Sequence, residues 1–307
     1  MSERVVNVYD IIIIGGGTAG LSAAIYCARS ERSVLVLEKT VFGGQILNAE
    51  DVENYPSVAH ISGYDFANAL LSQAKKAGAV CRIEKVSEIR SGNVLKVFTN
   101  KGEHECRKII IATGAHPRLL GIPGEARLTG KGVSYCALCD GAFFKGKNVC
   151  VIGGGNSALY DALHLSKICN TVYLIHRRKD YRAEKIAIKA IEGRKNIVPL
   201  LETTVSEIIG KDNVCGVVLK SCTDESEKTL EVSGVFCAIG HTPDNKPFSN
   251  LIKLEEFGFA LSDENGKTES ENIYVAGDCR KKAVYQLATA AADGVCAAVG
   301  AVRALEK

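Results

Sequence analysis

The sequence predicts an α/β fold of two related three-layer ββα domains, the second inserted into the first. Three observations predict it: a glycine-rich βαβ unit occurs twice, a closing strand motif occurs twice, and a C-terminal segment too small to fold alone is left over. The chain has 307 residues, room for two domains at roughly 100–200 residues each. Hydrophobic residues at 46% and charged residues at 24% are the mix of a globular protein with a sizeable core. The net charge of +3 contains no basic run, so nothing points to nucleic acid or an anionic membrane surface. Ser2, Glu3 and Arg4 lead into a strand-like run, unlike the charged-then-apolar order of a secretory leader. No stretch approaches the ~20 apolar residues that a membrane helix needs.

Residues 10–39, DIIIIGGGTAGLSAAIYCARSERSVLVLEK, align without a gap on residues 148–177, NVCVIGGGNSALYDALHLSKICNTVYLIHR. Each is an apolar run, a glycine turn, a helix-period stretch and a second apolar run, which is a βαβ unit. Each unit is closed by a further strand: IIIATGAHP at 109–117 matches VFCAIGHTP at 235–243. The second domain is thereby bracketed at 118–246. The remaining residues 247–307 offer one strand and one long helix, a poor independent domain, and are expected to return and complete the first, 1–117. Pro/Gly clusters at 114–124 and 240–247 read as the hinges.

Gly15, Gly17 and Gly20 follow a strand and open a helix, the context that makes a glycine triplet a Rossmann-like dinucleotide site. The first glycine makes the tight turn, the second lets backbone approach a diphosphate, and the third lets helix pack on strand. The diphosphate then sits at the positive end of the helix. Glu38, at the end of the second strand, can accept hydrogen bonds from an adenosine ribose. In the second unit the motif is Gly153, Gly155 and Ala158, and the residue aligned with Glu38 is His176, followed by Arg177 and Arg178, with Arg182 in reach. A carboxylate repels a 2′-phosphate, whereas guanidinium groups bind one bidentately. The first site therefore suits FAD and the second NADPH. Gly277-Asp278 after the strand at 273–276 offers an acid for the ribityl hydroxyls, and the helix starting near Gln286 offers its dipole to a reduced flavin.

Of twelve cysteines only Cys136 and Cys139 have motif spacing. Two intervening residues allow a disulfide that opens and closes without refolding; half a zinc site is the rival reading, and no second ligand pair completes one. No other metal site is expected. Asp140 is placed to move a proton as the disulfide opens, or it is a turn residue before Gly141. Scattered thiols packed as small hydrophobes suit a reducing cytoplasm.

In order, GGGTAG, ENYP (Glu53–Pro56), ATG (Ala112–Gly114), CALCDG (Cys136–Gly141), GGGNSA (Gly153–Ala158), HRRKDYR (His176–Arg182), IGHTP (Ile239–Pro243) and AGD (Ala276–Asp278) resemble the low-molecular-weight bacterial thioredoxin reductases over about residues 8–303. The resemblance implies an NADPH-dependent, FAD-containing thioredoxin-disulfide reductase, a homodimer whose NADPH domain rotates between two states. It places FAD contacts on Gly15, Gly17, Gly20, Glu38, Gln45, Asn54, Asp278 and Gln286, and NADPH contacts on Asn156, Ser157, His176, Arg177, Arg178 and Arg182 beside Gly153 and Gly155. It implies that Cys139 lies nearer the flavin and that Cys136 attacks thioredoxin or a thioredoxin-like partner. Phe143 and Phe144 resemble the aromatic patch on which that partner docks; the plain alternative is two core residues.

Two positions depart from the family pattern: Leu138 inside the cysteine motif, where many members have Thr, and Tyr285 before Gln286, where many have Arg. The second departure leaves open a related flavin disulfide reductase serving another thioredoxin-like or peroxidase-linked acceptor. The flavoprotein of an alkyl hydroperoxide reductase is expected to carry an extra N-terminal thioredoxin-like region, whereas the first strand here starts at residue 9. Ferredoxin-linked relatives lack the HRRxxxR cluster, and NADP-dependent ferredoxin reductases lack the cysteine pair.

Overall fold

Four consecutive isoleucines, Ile11–Ile14, are buried on both faces of β1 (Tyr9–Ile14), as expected of a central parallel strand covered on both sides. The computed structural model describes residues 8–49 and 51–306; residues 2–4, read above for a leader, lie outside them. After β1 come α1 (Thr18–Arg29), β2 (Val34–Glu38), α2 (Gly63–Lys76) and β3 (Val80–Ile83). The hydroxyl of Ser62 caps α2 by accepting from Asp65 N–H at 3.0 Å. A meander follows: β4 (Val86–Arg90), β5 (Leu95–Thr99) and β6 (Gly102–Ile111). β6 serves two neighbourhoods, since its first half pairs antiparallel with β5 and its second half runs parallel to β1. β7 (Ala115–Pro117) then carries the chain away.

The second unit comprises α3 (Glu125–Leu128), β8 (Val133–Ser134), α4 (Ala137–Asp140), β9 (Asn148–Ile152), α5 (Asn156–Leu165), β10 (Thr171–Ile175), α6 (Lys185–Glu192) and β11 (Ile197–Leu200). A meander of β12 (Thr203–Gly210), β13 (Val214–Ser221) and β14 (Glu227–Leu230) leads to β15 (Gly234–Cys237). Its parallel sheet has the order β11-β10-β9-β15-β8. The helical face buries Val149, Val151, Leu159, Leu165 and Phe236, and the meander face Cys150, Ile152, Val217 and Val235. Two layers around one sheet bury side chains from both faces of each strand, as three-layer packing requires.

β16 (His241–Pro243) returns the chain and pairs with β7; β17 (Ile273–Val275) joins β6, and α7 (Leu287–Leu305) closes the first unit. The compact units are residues 1–116 with 242–307, and 117–241. Residues 242–246 thus fall in the first unit, where the sequence reading placed them in the second. The reason is Asn245, fully buried, whose amide donates to Gly258 O at 2.9 Å and Cys279 O at 2.6 Å.

The expectation that no segment approaches a membrane span is corrected by α7. It has 19 residues at mean hydropathy 1.3, long and apolar enough to cross a bilayer by length and composition. Its apolarity is used in packing on α1: Ala290, Gly294, Ala297, Ala298, Ala301 and Val302 are buried, and a Cβ on Gly294 would overlap Ala19 O.

Candidate active site

In the first unit Gly15 sits at φ +107°, where a Cβ would overlap Ala112 O, and a Cβ on Gly20 would overlap Gly15 O. These two glycines allow strand, turn and helix to close on one another. Gly17 is different: a Cβ there would meet Gly43 O at 3.8 Å and Gly44 Cα at 3.9 Å, ordinary contact without overlap. Gly17 also precedes α1 without any side-chain cap, so the first-turn N–H groups remain available to an anion. Glu38, 7% exposed, is fixed by N–H donors, with Gly16 N 2.7 Å from Oε2 and Thr40 N 3.0 Å from Oε1. Its other lone pairs are left for hydroxyl donors.

The remaining first-unit candidates lie at the start of α7, against β7 and just after β17. Gln286 is the N-cap of α7 in a reciprocal capping box with Thr289, and Asn54 Nδ2 donates to Gln286 Oε1 at 3.4 Å. Gln45 Nε2 donates to Ala115 O and meets His116 Nδ1 at 3.0 Å. Asp278 pairs with Lys282, Oδ1 to Nζ 2.9 Å.

Sequence reasoning missed Lys282. Its side chain is only 8% exposed, its Nζ also meets Asp293 Oδ2 at 3.1 Å, and it lies 5.5 Å from the centre of the Tyr285 ring. Arg280 completes the group, 2.7 Å from Asp293 Oδ1. Positive charge is therefore present beside Tyr285, from residues two and four positions beyond Asp278; the run Arg280–Lys282 was the available signal.

The second unit repeats the cradle with altered chemistry. Gly153 has φ +154° and a Cβ there would overlap Ala238 O; Gly155 precedes α5 without a side-chain cap. Asn156 ties the start of α5 to the start of α6, accepting from Glu184 N at 2.8 Å. Ser157 is exposed in the first turn. His176 is buried under Gly154, stacked on Tyr181 at 5.6 Å, with Nε2 3.2 Å from Asp180 O. Burial pushes its pKa down, and Arg178, Arg177 and Arg182 push the same way, against the carbonyl of Asp180. It is a neutral ring supporting the turn, while Arg177, Arg178 and Arg182 are exposed. Arg182 N donates to Gly154 O at 2.7 Å, holding that arginine at the glycine turn.

Asp161 on α5 has its pKa pushed up from 3.8 to about 6 by burial. The folded protein therefore holds this proton more tightly than the unfolded chain. Ionised Asp161 costs stability that grows as pH rises from about 4 through about 6. Asp161→Asn is expected to stabilise the protein at pH 7 by about 1–3 kcal/mol. The gain should vanish below pH ~4, where both states are protonated. Urea unfolding at both pH values checks this; an equal gain at both would show that charge is not the cause.

Cys136 and Cys139 are joined in a disulfide, and Cys139 N donates to Cys136 Sγ at 3.1 Å. Asp140 Oδ2 lies 2.5 Å from Ser134 Oγ, and burial pushes its pKa up while that hydroxyl pulls it down. Leu138 and Phe143 are exposed, at 58% and 63%, whereas Phe144 is buried against Phe236 at 5.3 Å. Phe144 is thus a core residue and Phe143 a surface one. The other cysteines are free thiols, and burial pushes Cys27, Cys106 and Cys237 up to about 12. Away from the pair, Asp51, Glu53 and His60 bring possible ligand atoms within 4.8 Å of one another, His60 being ion-paired to Asp51 at 2.7 Å.

Two nucleotide cradles and a disulfide on the cationic one define a class, and residues 9–294 match it: the pyridine nucleotide-disulphide oxidoreductases. The chain is 40% identical over 300 residues to the thioredoxin reductase of Bacillus subtilis, covering 97% of this chain and 94% of that one. It is also 40% identical over 303 residues to that of Listeria monocytogenes, covering 98% and 95%. The crystal structure of thioredoxin reductase from Streptococcus pyogenes superposes with a TM-score of 0.92 at 36% identity, covering 98% of this chain and 99% of that one. The chain belongs to the low-molecular-weight thioredoxin reductase family.

Proposed function

We propose that this enzyme reduces the disulfide of thioredoxin, or of a thioredoxin-like protein, with electrons taken from NADPH through FAD and the Cys136–Cys139 disulfide. The observation that carries the reading is the closed disulfide on the unit that also holds the arginine-flanked glycine turn. The first cradle fits FAD: a glycine turn leading into an uncapped α1, and a fixed buried acid, Glu38. Gln45, Asn54, Asp278 and Gln286 are the further contacts proposed for it. FAD, when bound, supplies a carrier that takes a hydride's two electrons and passes the pair to a disulfide. The second cradle fits NADPH, with Gly153, Gly155, Asn156 and Ser157 around the diphosphate, His176 supporting the turn, and Arg177, Arg178 and Arg182 on the 2′-phosphate.

Two electrons break the Cys136–Cys139 bond, and one sulfur takes a proton from Asp140. Cys136 thiolate then attacks the partner's disulfide to form a mixed disulfide. Cys139 returns its proton to Asp140 and attacks Cys136 Sγ, which restores the enzyme disulfide and releases the partner; the partner's two sulfurs take their protons from solvent to become a dithiol. Leu138 and Phe143 offer the apolar contact for that partner. The working assembly in this reading is a homodimer in a reducing cytoplasm, where the free thiols persist.

The test is anaerobic. NADPH should bleach the yellow protein within seconds, and oxidised thioredoxin should restore the colour while becoming a dithiol. Bleached protein that thioredoxin leaves colourless would overturn the reading.

Tyr285 bears on the same step. Lys282 is held by the carboxylates of Asp278 and Asp293, and Arg280 by that of Asp293, so Tyr285→Arg adds a cation without a new counter-charge. The flavin potential of the variant is expected to lie above that of the wild type by up to ~30 mV, about 1.4 kcal/mol for two electrons. A spectroscopic redox titration in identical buffer decides. Equal potentials would confine Tyr285 to packing, where its ring lies 5.6 Å from that of Phe259.

A further inference from the structure

Ser134 is a buried residue, 5% exposed, at the end of β8 and two residues before Cys136. Its Oγ accepts from Cys136 N at 3.0 Å and lies 2.5 Å from Asp140 Oδ2. Cys136 O is also near, at 3.3 Å. A hydroxyl has one proton to donate, and the short contact to a carboxylate is the stronger claim on it. Asp140 N in turn donates to Cys136 O at 3.1 Å. Backbone and side chain of Asp140 are thus both tied to Cys136, the side chain through one hydroxyl.

We propose that Ser134 is a positioning residue for disulfide exchange, holding the Asp140 carboxyl beside the Cys136–Cys139 pair so that the proton passes between Asp140 and a cysteine sulfur. The proposal rests on the role given above to Asp140. When the disulfide is reduced, one sulfur gains the proton that Asp140 loses; when it re-forms, the proton returns. Of the two influences on Asp140, burial favours the neutral acid and the Ser134 hydroxyl favours the carboxylate. Without the hydroxyl the acid stays protonated to higher pH and is freer to turn away. Other titratable groups are near: Asp161 and His164 on α5, which packs against α4, and the Tyr135–Glu125 pair, hydrogen-bonded at 3.0 Å. The variants below retain all of them, so their contributions are common to every comparison.

The experiment follows NADPH-reduced enzyme reacting with oxidised thioredoxin in a rapid-mixing instrument from pH 5 to 9. The proteins are the wild type, Ser134→Ala, Ser134→Thr, Asp140→Asn and the double variant Ser134→Ala/Asp140→Asn, with flavin absorbance and thermal unfolding recorded for each. Ser134→Ala is expected to slow exchange at least about tenfold, within the reach of one general acid–base contact, and to move the acid limb of the profile to higher pH. Ser134→Thr, which keeps the hydroxyl, should recover most of the rate. The double variant should be no slower than Asp140→Asn. A wild-type rate and profile in Ser134→Ala, with Asp140→Asn slow, would overturn the role of Ser134 alone. Losses that multiply in the double variant would overturn it too, by showing that Ser134 does not act through Asp140. A wild-type rate in Asp140→Asn would instead remove Asp140 from the mechanism, and Ser134 with it.

Discussion

Cys136→Ser and Cys139→Ser are each expected to abolish thioredoxin reduction, while NADPH-driven reduction of a one-electron dye continues. The two cysteines are a single bond in the resting protein, and exchange with a partner needs both sulfurs in turn. One attacks, and the other resolves the mixed disulfide. A serine hydroxyl replaces a good nucleophile and leaving group with a poor one, so neither half of the sequence can be completed. A dye takes electrons from the flavin directly and never meets the pair. The buried thiols offer no substitute: Cys27, Cys106, Cys150 and Cys237 are pushed up by desolvation. The measurement is NADPH consumption with thioredoxin and, separately, with the dye. Thioredoxin turnover surviving in either variant would remove the pair from the mechanism.

Changing Arg177 and Arg178 together to glutamine is expected to raise KM for NADPH at least tenfold and to leave KM for NADH nearly unchanged. Both side chains are exposed, so the substitutions open no cavity and expose no orphaned partner. What is lost is charge-assisted hydrogen bonding to a 2′-phosphate, about 1.5–3 kcal/mol per contact, and every 1.4 kcal/mol is tenfold in affinity. His176 cannot compensate, because burial and the neighbouring arginines hold it neutral. Arg182, fastened to the glycine turn by its backbone, limits the loss to less than the full sum. Steady-state kinetics with both nucleotides decides between a phosphate reader and a structural element, which would weaken both alike.

Local features carried the plan of this protein. The duplicated glycine turns, the aligned Glu38 and His176 and the doubled closing strands disclose two βαβ units. Steric demands at Gly15 and Gly153, and unbroken apolar strands, act over a few residues and leave a periodic trace in sequence. The spacing of Cys136 and Cys139 is legible for the same reason: a single turn of chain brings them together.

Tertiary structure alone decided the rest. Asn245 draws residues 242–246 into the first unit through carbonyls of Gly258 and Cys279, distant in sequence. The small side chains of α7 had no visible purpose until α1 lay against them. His176 aligns with Glu38, yet its ring lies beneath the turn, stacked on Tyr181 and covered by Gly154. Phe143 and Phe144 are adjacent in sequence and opposite in fate, since only Phe144 meets Phe236. Lys282 lies beside Tyr285 and is held there by Asp293, a residue on a helix that begins after both. In each case the deciding partner is brought in by the topology of the sheet and its layers, and no pattern within a short window of sequence records a contact made across that distance.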